Sequence, residues 1–358
     1  MTKIAQVGPR RVTVGVDTHL DQHVAAAKDE LGRDLGTASF PTTSVGYAQL
    51  LAWASSFGEL ERVGVEGTGS YGAGLSRFLR QAGVAVVEVS RPNRQERRRH
   101  GKSDTADAVA AARAVQSGEA AAVPKSGDAA VEMVRVLRAT RRGATKARTQ
   151  AALTMRSVLV TAPAALRDEL FPLSLAALVK RCAALRPGGL STPAAAAKLA
   201  LRCLARRYVA LGEEVADLDA ELARLTAQAS PALVAAFGVG PDVAGALLVA
   251  AGDNPGRLRS EAAFAKLCGV SPVEASSGKT SRHRLNRGGD RQANAALYRV
   301  VVVRLRYHEP TKAYLARRVA EGKTKKEAIR CLKRYVAREV YQLLRAGTAE
   351  RAGLGAAA

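Results

Sequence analysis

The chain has 358 residues, enough for two or three domains, and 47% of them are hydrophobic, enough for a buried core. A formal net charge of +23 favours a polyanionic partner, because neutralising phosphates releases counterions. The cysteines Cys182, Cys203, Cys268 and Cys331 form no CxxC pair and no disulfide framework, and no apolar run is long enough for a bilayer.

Residues 11–40 read as three short strands, Val12–Asp17, His23–Lys28 and Leu35–Phe40, the last two separated by the turn signal at residues 29–34. A helix over Ser44–Ser56 follows, then a strand at Arg62–Glu66, a helix at Tyr71–Ala82 and a strand at Val84–Val89. A further Ala-rich helix opens near Ser103. This β-β-β-α-β-α-β-α order is that of an RNase H-like domain, in which the first and fourth strands are neighbours. Asp17 and Glu66 each end one of those strands. Asp104 and Asp107 stand three apart, on one face of the helix that begins after Ser103. Four convergent acids in so cationic a chain point to divalent metal, as in a two-metal nuclease of the RuvC type. Helix capping alone is the plainer account of Asp104 and Asp107, since acids in a first turn complement the macrodipole.

Arg94, Arg97, Arg98, Arg99 and Lys102 form a cationic run just before that helix. Beside an acidic site, such a run suits a phosphate backbone drawn towards metal. Residues 129–160 read as a helix with an Arg-rich face. A second long helix carries Leu201, Leu204, Tyr208, Leu211, Val215, Leu218, Leu222 and Leu225 at alternating three- and four-residue spacing. Two readings stand: self-association through the 201–225 heptads as a dimer or higher oligomer, or an intrachain hairpin against residues 129–160. Leu233–Ala251, with Gly238-Val239-Gly240 at its turn, resembles a helix-hairpin-helix, and an ordinary helical turn is the alternative. The division expected is residues 1–125, 126–229 and 230–350.

Residues 271–291 are polar, glycine-punctuated and cationic. They contain Ser276, Ser277, Lys279, Arg282, His283, Arg284, Arg287 and Arg291, and read as a nucleic-acid-facing loop. Here the chain resembles a DEDD transposase of the insertion sequence 110 family. The Val-Gly-Val-Asp17, Gly-Val-Glu66 and Lys-Ser-Asp104-Thr-Ala-Asp107-Ala segments are similar to its RuvC-like N-terminal domain. The Phe-Gly-Val-Gly240, Phe264-to-Pro272, Ser277-Gly278-Lys279 and Asn286-to-Arg291 segments are similar to its C-terminal transposase domain. The resemblance implies an α/β RuvC-like domain, a coiled-coil helical middle and a small helical C-terminal domain. It implies that Asp17, Glu66, Asp104 and Asp107 bind Mg2+ or Mn2+, as two ions. It implies that Ser277 attacks DNA to give a covalent phosphoserine intermediate, with Ser276 the alternative at a shift of one residue. It implies donor and target DNA as partners, and a structured noncoding RNA encoded by the element that guides recombination. Lys102-Ser103-Asp104 departs from the family's usual Lys-Thr-Asp but keeps a hydroxyl. Site-specific invertases share these motifs, so transposase and invertase roles both stand.

Two other classes compete. A RuvC-like nuclease or junction resolvase, hydrolysing with water, accounts for the acids but not for the C-terminal half. A non-enzymatic nucleic-acid scaffold accounts for the charge but not for all four acids. Each reading is consistent with a cytoplasmic, nucleoid-associated bacterial protein, and Met1-Thr2-Lys3-Ile4-Ala5 lacks a signal-peptide core.

Overall fold

In a computed structural model, residues 10–89, 103–127, 129–254, 257–279 and 283–355 are described, with side chains up to residue 346. Two units are distinguished. The first runs to Ala129 and takes in Gly252–Arg259; the second holds Ala130–Ala251 and continues from Ser260.

The first unit is built on a five-stranded mixed sheet: β1 (Arg11–Thr18), β2 (Gln22–Asp29), β3 (Asp34–Pro41), β4 (Glu59–Glu66) and β5 (Ala85–Val89), in the order β3-β2-β1-β4-β5. β1–β2 and β2–β3 are antiparallel hairpins, whereas β1–β4 and β4–β5 are parallel. Parallel neighbours need crossovers, and these are α1 (Ser44–Ser55) and α2 (Ala73–Gln81). The sheet and its helices have the arrangement of an RNase H-like domain, as the order of elements predicts.

Side chains alternate across a strand, so β1 divides into two rows. Val12, Val14 and Val16 are fully buried in a core with Val63 and Val65 of β4, Leu50 of α1, and Leu75 and Leu79 of α2. The other row, Thr13-Gly15-Asp17, faces α3 (Asp104–Gln116). In β4, Gly64 and Glu66 occupy that same row. A Cβ on Gly15 would lie 2.1 Å from the Ala112 backbone nitrogen and 2.2 Å from the Ala108 carbonyl oxygen. One on Gly64 would lie 2.5 Å from Val115 Cγ2. Two glycines therefore let an alanine-rich helix lie directly on the sheet. Each glycine is followed two residues later by an acid on the same face.

His23, in β2, is fully buried and stacks on Tyr47 with centroids 5.7 Å apart. Neither ring nitrogen has a hydrogen-bond partner among the described residues. Burial holds its pKa below the ordinary 6.5. The unfolded chain then binds a proton that the folded one refuses, so stability is full above pH 6.5 and falls as the pH drops towards the depressed folded value. Urea unfolding should show a slope of at most about 1.4 kcal/mol per pH unit from this residue. His23→Phe should flatten the profile between pH 7 and pH 5; an unchanged slope would remove His23 as its source.

The second unit is helical apart from one short hairpin. Its largest elements are α4 (Ala130–Val160) and α7 (Pro193–Ala229). Val134 clusters with Leu222 and Leu225, while Met155 and Leu159 cluster with Leu201 and Ala205, so the two helices run antiparallel. The heptad row thus has an intrachain partner in α4, with Leu211, Val215 and Leu218 half-buried at mid-length. Gly212 makes room there for the Arg148 guanidinium, 3.4 Å from where a Cβ would sit, and that group lies 4.3 Å from the Tyr208 ring centroid. Arg141 and Asp219 form an ion pair across the same pair of helices. Two short helices, α5 (Ala164–Leu170) and α6 (Leu175–Ala183), pack on their far end.

Beyond α7 come α8 (Pro231–Ala235), a turn at residues 236–240, and α9 (Pro241–Ala251). The chain then returns to the first unit, where Asn254 Nδ2 donates to Pro124 O at 2.9 Å and Arg257 Nε to Val123 O at 3.1 Å. Next come α10 (Glu261–Leu267), strands β6 (Val273–Glu274) and β7 (His283–Arg284), and the helices α11 (Arg291–Tyr307), α12 (Glu309–Ala320) and α13 (Lys325–Gly355). Among the described residues, no helix is long and apolar enough to cross a membrane. Cys182 and Cys268 are buried thiols, and burial pushes Cys268 up to about 12, whereas Cys203 is exposed.

Candidate metal centre and nucleic-acid interface

The ends of β1 and β4 are tied together. Val16 pairs with Val65, and the Thr18 hydroxyl donates to the Glu66 carbonyl at 2.9 Å. This sets Asp17 and Glu66 side by side at neighbouring strand ends. Gly67, at φ +65°, turns the chain immediately afterwards, and Glu66 lines a cleft with Thr18, Ser70 and Tyr71. Ser103 caps α3, accepting from Ala106 N at 3.2 Å, so the helix begins at Asp104 with Asp104 and Asp107 in its first turn. Helix capping therefore belongs to Ser103, and the aspartates add charge to the turn without being the cap.

The structure brings Asp17 and Asp104 together around a residue outside the predicted set, His19. Its Nε2 lies 3.1 Å from Asp17 Oδ2 and 3.4 Å from Asp104 Oδ1. One ligand atom from each of the three lies within 4.8 Å of the others. Asp17 and Asp107 are buried, while Asp104 is exposed. Burial pushes the Asp17 carboxyl above its ordinary range; His19 pulls it down, and the charges of Asp107 and Asp104 push it further up. Carboxylates crowded so that one resists ionising, with an imidazole among them, are a donor set suited to a hard or borderline divalent cation. His19 was legible in principle as a neighbour of the acid: in Asp17-Thr18-His19 the imidazole follows two residues after Asp17, just past the end of β1.

In the second unit, Ser276 and Ser277 are exposed between β6 and β7, where Val273 pairs with Arg284 and Glu274 with His283. Gly278, at φ +56°, allows the tight turn that follows Ser277. Lys279, His283, Arg284, Arg287 and Arg291 are all exposed around this hairpin. Arg282 lies outside the described residues, as do Arg94, Arg97, Arg98, Arg99 and Lys102.

The Asn286-Arg-Gly-Gly-Asp290 segment proves to be a clamp that presents this hairpin. Asp290 caps α11, accepting from Gln292 N at 2.8 Å and Ala293 N at 2.9 Å. Its own N–H donates to Leu267 O at 2.7 Å. Asn286 Oδ1 accepts from Gly288 N at 2.9 Å. A Cβ on Gly289 would sit 2.2 Å from Gly269 N, so only glycine allows the two loops to touch. Asn294 completes the clamp, donating to the Cys268 carbonyl at 2.8 Å and accepting from Lys333 Nζ at 2.5 Å.

The RNase H-like sheet gathers carboxylates and an imidazole at its strand ends, a donor set suited to a divalent cation. Residues 14–162 match a family model described as a transposase, of the DEDD type of IS110, and residues 231–316 match that of the transposase IS116/IS110/IS902 family. The two matches fall in chain order, one on each side of α7. An insertion element IS110 uncharacterized 43.6 kDa protein of Streptomyces coelicolor is 34% identical over 149 residues. That alignment covers 40% of this chain and 36% of that protein, so it spans about a third of the length of the relative. The chain belongs to the IS110 family of transposases.

Proposed function

We propose that the chain is a DNA transposase or recombinase of an insertion sequence, which cleaves and transfers strands at a metal site formed by Asp17, Glu66, Asp104 and Asp107. The observation that carries this reading is the convergence of Asp17 and Asp104, with the charge of Asp107 felt at Asp17, at the joined ends of β1 and β4. Asp17, Glu66, Asp104 and Asp107 would hold divalent metal, as two Mg2+ or Mn2+ ions, and metal held there would supply charge to polarise the scissile phosphate and stabilise the leaving oxygen. The chain's own acids hold it, and α3, seated on Gly15 and Gly64, sets their spacing.

Ser277 is the nucleophile of this reading. Its Oγ–P bond forms as the bond from phosphorus to the leaving sugar oxygen breaks; the hydroxyl proton passes to solvent and the sugar oxygen takes one up. Lys279, Arg284 and Arg287, exposed beside it, neutralise phosphate charge. The α8–turn–α9 element adds a helix-hairpin-helix-like backbone contact. The cationic surface suits recognition of shape and phosphate, leaving sequence to a pairing RNA. Dimers form through α7 in addition to its packing on α4.

Ser277→Ala should abolish covalent protein–DNA adducts while nucleic-acid binding persists, and excess chelator should stop strand cleavage. Denaturing gels of reactions with end-labelled DNA test both. Adducts that survive in Ser277→Ala and vanish in Ser276→Ala would move the nucleophile by one residue. Cleavage giving only free 5′-phosphate ends would replace the serine with water, and full cleavage in chelator would remove the metal.

A further inference from the structure

We propose that His19 is itself a metal ligand, through Nε2, so that the centre held by the acids is a mixed nitrogen–oxygen site. This rests on the reading above that Asp17 and Asp104 bind divalent metal. Adjacent ligand atoms around one ion at roughly 2.1 Å lie roughly 3 Å from each other. The separations of His19 Nε2 from Asp17 Oδ2, 3.1 Å, and from Asp104 Oδ1, 3.4 Å, are of that size. A single ring nitrogen faces both carboxylates, whereas one N–H can point squarely at only one acceptor. With metal present, the neutral ring turns a lone pair to the point where those three atoms converge.

The backbone holds His19 in place for this. Its N–H donates to Gln22 O at 3.1 Å, and its carbonyl accepts from Thr42 Oγ1 at 3.3 Å. The residue is thus anchored on both sides, while its side chain stays 44% exposed and open to an arriving ion. Oxygen-only sites suit Mg2+, and an imidazole shifts preference towards Mn2+ and later divalent ions.

The experiment is pulsed EPR on the full chain loaded with Mn2+ alone, without nucleic acid. The expected result is 14N modulation from a directly bound imidazole. In His19→Gln the modulation disappears and Mn2+ affinity, read by calorimetry, falls roughly tenfold or more, with a smaller fall for Mg2+. Bound Mn2+ without nitrogen modulation in the unmodified chain would overturn ligation by His19 and leave the acidic metal site standing. Modulation that persists in His19→Gln would assign it to another histidine. No Mn2+ binding at all would overturn both readings. Should His19→Gln fail to fold, His19→Asn makes the same assignment, and missing modulation in the unmodified chain overturns the proposal without any variant.

Discussion

Asp17→Asn should abolish metal-dependent strand cleavage and, in the absence of metal, raise the thermal midpoint of the first unit. The two effects share a cause. Asp17 is buried beside two like charges, and its folded pKa is raised above the ordinary 3.8. For an acid this sign means that the folded chain binds more protons than the unfolded one. The cost is absent below the unfolded value and fully present once the pH exceeds the folded value. Above that folded value the metal-free protein carries an ionised Asp17 in a site that resists it. Asparagine removes the charge with little change in shape. Metal offsets the same cost from outside: at a hundredfold excess over Kd, an ion bound only by the folded state stabilises it by about 2.7 kcal/mol. Differential scanning with and without Mn2+ should show the unmodified chain rising by roughly 5–10 °C. Asp17→Asn should start higher and rise little. A metal-free midpoint lowered by the substitution would show that Asp17 is held by structural partners and not poised for a cation.

Gly15→Ala should be among the most disruptive single methyl groups in the first unit, and the one that bears on the metal site. Its Cβ meets backbone atoms of α3 at 2.1 and 2.2 Å, and backbone cannot rotate out of the way as a side chain can. The helix must lift from the sheet, at a cost of about 1–3 kcal/mol or more. Asp104 and Asp107 ride on the first turn of that helix, so lifting it also draws Asp104 away from His19 and Asp17. Mn2+ affinity should fall at least about tenfold, together with stability. The control is Gly143→Ala, in mid-α4, where an added Cβ meets nothing within 4 Å. There alanine should stabilise by about 0.8–1 kcal/mol through helix propensity. Denaturant unfolding of both variants, with Mn2+ titration of the first, checks the pair. Equal metal affinity in Gly15→Ala and the unmodified chain would show that seating of α3 does not set the site.

Much of the first unit was legible because its signals are local. Alternating valines define β1 and β4, turn residues separate the hairpins, and Ser103 marks the head of α3 at the residue where the helix begins. The placement of Asp17 and Glu66 at strand ends follows from strand order, which crossover connections constrain strongly. The Asn286–Asp290 segment was harder. Its composition suggests contact with nucleic acid, yet Asn286, Gly289 and Asp290 hold the loop to α10 and α11. Among the described residues, Arg287, Arg284, His283 and Lys279 face solvent beside it. Polar residues that bind backbone look like ligand contacts until their partners are known.

By itself, the sequence determined the elements of the first unit, the row of β1 and β4 on which the acids lie, and the pairing of two acids in one helical turn. These depend on period and capping, which neighbours in the chain decide. Tertiary structure alone decided that Asp104 meets His19, that α7 packs on α4 where the sequence left two readings open, and that residues 252–259 return to the first unit. Each is a contact between segments distant in sequence. Its existence depends on how closely two surfaces can approach, and here two glycines beneath an alanine-rich helix set that distance for the metal site.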